Sequence, residues 1–320
     1  MIIVTGAAGF IASALISELN KHNFNDIIAV DLFDNKLKNK NLSSKKINQH
    51  ISRNNLNQWI KENHIEIEFV FHLGARTDTA EFNRQLLSEL NTEYSKMIWK
   101  NCVAYQIPMI YASSAATYGL GEFGYDDQTD PNKLIPLNPY GDSKNEFDRW
   151  ALNQKEQPFF WAGLKFFNVY GPNEYHKDRM ASVVYHAFNQ ISRNNEMKLF
   201  RSHHIDYKDG EQMRDFIYVK DVVQVMYWFM HHRKNPGIYN LGSGNARSFL
   251  DLTSAVFDAI KQPINLSFID TPEDIRDKYQ YFTEAKMTKL LSIGYPYTFT
   301  ALEEGIDDYI KNYLINSRYY

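Results

Sequence analysis

The sequence predicts an α/β fold: a doubly wound parallel sheet with a smaller, mixed α/β lobe attached. Two observations point to the sheet. Short apolar runs alternate with longer amphipathic segments through the first half of the chain, and the first of those runs leads straight into a glycine-rich turn. A third is length, since 320 residues at roughly 100–200 per domain suggest two lobes. In order, strands are expected at Met1–Thr5, Asp26–Asp31, Glu66–Leu73, Ile107–Ser113 and Phe159–Phe166. Helices are expected between them at Phe10–His22, Leu56–His64, Asn83–Ala104 and Tyr140–Gln154. The Asn-, Lys- and Ser-rich stretch 35–58 reads as a long surface connection with one short edge strand near Ile47–Ile51. After about residue 170, Gly171-Pro172 breaks the alternation. Met180–Arg193 and Val219–His232 then look helical, and Lys198–Phe200 and Ile238–Leu241 look extended. The expected division is 1–168 for the first domain, with segments near 214–241 returning to it, and 169–320 mainly for the second.

Composition excludes several function classes. With 35 basic and 38 acidic side chains, the net charge of -3 gives no global attraction to nucleic acid or an anionic membrane surface. No apolar stretch approaches the ~20 residues of a membrane helix, and the start lacks the basic region of a signal peptide. The lone Cys102 rules out an internal disulfide and a cysteine-based metal site, so a cytoplasmic chain with no metal is expected.

The glycine turn carries the first chemistry. Gly6-Ala7-Ala8-Gly9-Phe10-Ile11-Ala12 joins the first strand to a helix, and Asp31 ends the second strand roughly 20 residues later. Glycine permits a sharp turn and close approach to a pyrophosphate. A helix N-terminus offers free N–H groups, and a carboxylate at the next strand end accepts hydrogen bonds from a ribose. These features together indicate a dinucleotide site. Asp31 favours NAD by repelling a 2′-phosphate, whereas Lys36, Lys38 and Lys40 can neutralise one, so the residues leave both cofactors open. Leu73-Gly74-Ala75 closes another strand with small residues beside the cofactor path. Asn91 sits in an amphipathic helix, where a polar side chain ordinarily faces solvent.

Tyr111–Gly119 places the hydroxyls of Ser113 and Ser114 at the C-terminal end of a strand, the side on which such sheets bind ligands. Tyr140 and Lys144 come next, at i,i+4 on one helix face. A phenol is a poor base at neutral pH, but a nearby ammonium favours its phenolate. Tyr140 can then take a proton from a substrate hydroxyl as hydride leaves the same carbon, with Ser114 holding the oxygen.

Together, Gly6-x-x-Gly9, Ser113-Ser114, Tyr140-x-x-x-Lys144 and Asn168-Val169-Tyr170-Gly171-Pro172 resemble the extended short-chain dehydrogenase/reductases, the NAD-dependent epimerase/dehydratase family. Further stretches narrow the resemblance to its ADP-heptose 6-epimerase branch: YASSAATYG at 111–119, FNVYGP at 167–172, His176-Lys177 before Met180-Ala181-Ser182-Val183, Arg214-Asp215-Phe216 and Tyr279–Thr283. The match runs from residue 1 to the C-terminal helix. It implies a Rossmann-type domain that binds NADP, with NAD possible, and transient oxidation at C6 of an ADP-heptose with hydride returned to the opposite face. It also implies a role in lipopolysaccharide inner-core precursor synthesis and a homo-oligomer, a pentamer. The two epimers present their hydroxyl groups to different sides, so a second base is needed, and Lys177 matches it.

Carried over residue by residue, the resemblance implies a cofactor site of Gly6, Gly9, Phe10, Ile11, Asp31, Leu32, Lys38, Leu73, Gly74, Ala75, Thr77, Asn91, Tyr140, Lys144, Val169 and Lys177. The ADP-heptose would be held by Ser114, Asn168, Arg179, His186, Phe200, Arg201, Ser202, Arg214 and Tyr279. Lys177, Arg179, Arg201 and Arg214 would form a local cationic set suited to one diphosphate. The chain departs from the branch at Ala12, Leu32 and Arg179, and in a longer His203–Met213 connection. Competing expectations are a nucleotide-sugar 4-epimerase, a dehydratase, or a non-catalytic sensor of nicotinamide redox state. Ala115-Ala116 after Ser114 lacks the acid pair that dehydration requires, and a sensor has no reason to keep Ser114, Tyr140 and Lys144 together.

Overall fold

The computed structural model of the chain describes residues 1–276 and 279–320. Among the described residues, twelve strands occur in chain order: β1 (Ile2–Thr5), β2 (Ile27–Asp31), β3 (Gln49–Ser52), β4 (Phe69–His72), β5 (Met109–Ser114), β6 (Trp161–Phe166), β7 (Asn168–Tyr170), β8 (Met197–Phe200), β9 (Met213–Tyr218), β10 (Gly237–Leu241), β11 (Ala246–Ser248) and β12 (Leu266–Ile269). Seven form one sheet in the order β10-β6-β5-β4-β1-β2-β3, every neighbouring pair parallel. The expected edge strand is β3.

Both faces of this sheet are covered, which is why its central strands read as unbroken apolar runs. Alternation assigns the faces. Ile2 and Val4 of β1 join the core that includes the helices Phe10–Lys21 and Val219–His231. Ile3 joins the other core, with the helices Leu56–Asn63, Tyr94–Ala104 and Pro139–Leu152. Much of the aromatic content packs here: Trp99 lies 5.1 Å from Trp161 and 5.9 Å from Trp150, ring centre to ring centre.

The crossovers run outward in both directions from β1, so the strand order reverses between β1 and β4, and a crevice opens beyond their C-terminal ends. One expected helix is not uniform. Between Arg84 and Ala104 the backbone widens into a single π-helical turn at Ser88–Glu93, which carries Asn91 inward.

The smaller lobe is built mainly from chain beyond β6. Only Phe167 separates β6 in the large sheet from β7, which pairs in parallel with β9; β9 pairs antiparallel with β11, and β8 pairs with β12. Between β9 and β11 the chain re-enters the large sheet as β10 beside β6. No described helix is long and apolar enough to cross a membrane.

Candidate active site

The crevice beyond β1 and β4 encloses about 400 Å³. Its floor requires glycine. Gly6 has φ +65°, and a Cβ there would stand 2.6 Å from the Cα of Gly74, so the two turns touch through bare backbone. Gly9 is the N-cap of the helix Phe10–Lys21, and no side chain closes that terminus. By contrast, Asn138, Ser182 and Ser248 cap the helices beginning at Pro139, Val183 and Phe249. Open N–H groups at the end of a helix, beside a turn too tight for side chains, fit a dinucleotide pyrophosphate.

A buried relay fixes this floor. The Ser95 hydroxyl donates to the Asn91 carbonyl, which makes its oxygen the acceptor for His72 Nε2–H at 2.8 Å. His72 Nδ1 therefore accepts from the Thr5 hydroxyl at 2.8 Å, and Thr5 Oγ1 accepts from the Gly74 N–H at 3.0 Å. Burial, aided by the Lys144 charge, pushes the His72 pKa from 6.5 down to about 3. Between those values the unfolded chain binds the proton and the folded chain does not. The His72 contribution to stability is thus fully present above pH 6.5 and declines on acidification towards pH 3, by up to roughly 5 kcal/mol. Urea melts at pH 7, 5.5 and 4.5 are expected to give a shallower loss of stability for His72→Gln than for the unaltered chain. Equal slopes would mean that another group controls acid unfolding.

At the end of β2, the Asp31 carboxylate is already engaged. It accepts from Ala8 N–H at 3.2 Å, from Leu32 N–H at 2.9 Å, and through both oxygens from Lys38 Nζ at 2.8 Å. Lys38 and Arg53 both line the crevice here. Gly6, Gly9, Phe10, Ile11, Leu73, Gly74, Ala75 and Thr77 line the rest.

At the end of β5, the Ser114 side chain lies near enough to the Tyr140 phenol to favour its ionised form, while Ser114 Oγ accepts from Ala116 N–H at 3.1 Å. Burial raises the Tyr140 pKa, Ser114 opposes that rise, and the negative Asp148 adds to it. The expected ammonium-assisted phenolate is therefore not preformed. Lys144 donates to the Ala112 carbonyl at 2.8 Å, and burial, partly offset by Asp148, lowers its pKa to about 8. A cationic ring bound beside the phenol would supply the charge that favours ionisation.

Lys177 lies on a strap between Gly171 and Ser182. Its Nζ stands 5.4 Å from the centre of the Phe10 ring, inside the crevice lining. Burial lowers its pKa, and the Glu174 carboxylate opposes the shift. Glu174, which no sequence motif singles out, is wholly buried and ties both ends of the strap: it accepts from Gly171 N–H at 3.3 Å, from the Ser182 hydroxyl at 2.7 Å and from Ser182 N–H.

In the smaller lobe, Arg214, Tyr279 and Phe200 come together. The Arg214 guanidinium sits 5.3 Å over the Tyr279 ring, and Tyr279 meets Phe200 edge-on. Among the described residues no carboxylate lies within salt-bridge distance of Arg214. Its neighbour Asp215 faces the other way, accepting from the N–H groups of Ser243, Gly244 and Ala285. Beside this group lies a cleft of about 620 Å³ lined by Tyr207, Tyr279, Tyr281, His203 and His204. The longer connection forms one wall of that cleft, and Ser202 braces it through Asp209.

Several expected residues are placed elsewhere. Asn91 is buried and does not join the crevice lining: its amide binds both backbone groups of Arg76 and the Ser143 hydroxyl, so it positions the loop after β4. Leu32 is exposed beyond the crevice, Val169 is half-buried in β7, and neither joins the lining. Asn168 is exposed at the start of β7, and His186 is half-buried on the helix Val183–Asn194. The cationic set is dispersed, because local carboxylates claim two members. Arg179 pairs with Asp78, and Arg201 lies 3.8 Å from Asp270.

A buried pair under the reactive end was also unforeseen. Asp148, one turn beyond Lys144 on the same helix face, accepts from Lys165 Nζ at 2.7 Å, Ser113 Oγ at 2.6 Å and Tyr111 Oη at 3.0 Å. A lysine inside the strand WAGLKF, buried on both faces, was a legible demand for such a partner.

Known proteins resemble this chain over nearly its whole length. A family model described as the NAD dependent epimerase/dehydratase family matches residues 2–242. The ADP-L-glycero-D-manno-heptose-6-epimerase of Fusobacterium nucleatum is 49% identical over 325 residues, covering 98% of each chain. The enzyme of the same name from Nitratidesulfovibrio vulgaris is 45% identical over 317 residues, again covering 98% of each. Among solved structures, the Helicobacter pylori ADP-L-glycero-D-manno-heptose-6-epimerase superposes with a TM-score of 0.81 at 29% identity, covering 97% of this chain and 95% of that one.

Proposed function

The chain belongs to the NAD dependent epimerase/dehydratase family, and from that premise we propose that it interconverts ADP-D-glycero- and ADP-L-glycero-D-manno-heptose by transient oxidation at C6. The observation that carries the reading is a second amine, that of the half-buried Lys177, lining the crevice of a chain that already has the Ser114, Tyr140 and Lys144 set. The bound dinucleotide supplies the hydride acceptor and donor. Tyr140 and Lys177 each hold or release the proton of the C6 oxygen, one for each epimer, and Ser114 orients that oxygen. Lys144 stabilises the ionised phenol. Arg214, without an acid partner among the described residues, binds the diphosphate, and Tyr279 with the adjoining aromatic cleft takes the nucleoside.

NADP is the proposed cofactor. The Asp31 carboxylate, which on its own disfavours a 2′-phosphate, is neutralised by Lys38, and Arg53 stands at the same end of the crevice. By family resemblance the chain works in the cytoplasm as a homo-oligomer, a pentamer, on the route to the lipopolysaccharide inner core.

The test uses the purified protein with ADP-D-glycero-D-manno-heptose and no added cofactor, following the C6 configuration by NMR; the released dinucleotide is identified separately after denaturation. A mixture of epimers and recovered NADP are expected. Unchanged substrate from protein shown to carry NADP would overturn the reading.

A further inference from the structure

We propose that the Asp78–Arg179 ion pair is a clasp that closes the cofactor crevice and retains the dinucleotide between turnovers. The two residues belong to opposite banks. Asp78 lies on the loop after β4, which lines one side of the crevice from Leu73 to Asp78, and Arg179 lies on the strap whose His176, Lys177 and Met180 line the other. The strap is fixed at its base, where Glu174 joins Gly171 to Ser182 and the buried Asn173 amide donates to Ser13 Oγ at 3.0 Å. Between those anchors it reaches over the crevice. Arg179 Nη2 meets both oxygens of Asp78, at 2.9 and 3.0 Å, and the Thr79 hydroxyl points to the Met180 sulfur at 3.9 Å.

These side-chain links join the two banks over the crevice mouth, so a dinucleotide lying on Gly6, Gly9 and Gly74 leaves broadside only when they part. Arg76 also approaches Asp78, at 3.7 Å, but it belongs to the same loop and pairs there with Glu81 at 3.3 Å. It sets the carboxylate and does not span the gap. Retention has value because epimerisation has no net redox change, and hydride must return to the sugar it left. That value rests on the proposed function, but the clasp itself needs only a bound dinucleotide.

The experiment reads dissociation from the binary complex and therefore does not depend on the heptose reading. Protein stripped of cofactor is loaded with NADPH and mixed with excess NADP, and the loss of nicotinamide fluorescence gives the release rate. Arg179→Met and Asp78→Asn are each expected to release about 5-fold faster, in keeping with a partly exposed pair, and release from the unaltered protein is expected to quicken with salt. Glu81→Gln, which touches only the within-loop pairing, leaves the rate unchanged. The exchanged pair Asp78→Lys with Arg179→Glu restores slow release. Single variants that release at the unaltered rate, or an exchanged pair as fast as the singles, would overturn the proposal, and circular dichroism confirms that each variant is folded.

Discussion

Replacing Tyr140 by phenylalanine is expected to lower turnover by about 10³-fold while leaving ADP-sugar affinity within a few-fold of its original value. The ring stays, so packing around Ser114 and the start of the helix Pro139–Leu152 is retained; only the proton-carrying oxygen is lost. The measurement is the rate of C6 inversion by NMR, with affinity taken separately by calorimetry. A variant as active as the parent would sink the assignment of Tyr140 as the proton carrier. The same assignment carries a pH signature. Lys144 is held near pKa 8 by burial, so its ammonium, needed beside the phenol, is progressively lost above that pH. The value of kcat/KM is expected to decline on the alkaline side of about pH 8.

The second large effect is expected at Lys177. Lys177→Met keeps most of the length and the apolar stem but removes the amine that stands over the Phe10 ring, and inversion is expected to fall about 10²- to 10³-fold. The loss should register in kcat more than in KM, because the strap is anchored by Glu174 and Asn173 and not by Lys177. Little change in the inversion rate would remove Lys177 as the second base and would leave the fold and the dinucleotide site untouched.

Much of the large sheet was legible because its strands are buried on both faces and its helices have a one-sided apolar stripe. β1, its glycine turn and the helix beyond it form one local pattern, and Tyr140 and Lys144 are one helical turn apart. What the sequence concealed depends on partners far along the chain. Arg179 reads as a free cation until folding brings Asp78, about a hundred residues earlier, to within 3 Å. Asn91 reads as a surface residue until the π-helical turn carries it inward to Arg76. Glu174 acquires its role only when the strap folds back and brings Ser182 to it. The small sheets were largely missed because β7 and β11 have three residues each, too few for a period to register.

The single residue between β6 and β7 governs how the molecule can move. Phe167 donates its N–H to Leu241 in β10 at 3.1 Å, so even this step is stitched to the large sheet. The two lobes are joined at this point by nearly continuous extended chain, and swinging one against the other would shear strand pairing on both sides. Domain closure in the manner of two jaws is therefore a poor route for substrate entry. Exchange with solvent is left to the loops that rim the site, whose rearrangement sets a natural upper limit on the cycle rate that rigid-body motion would not.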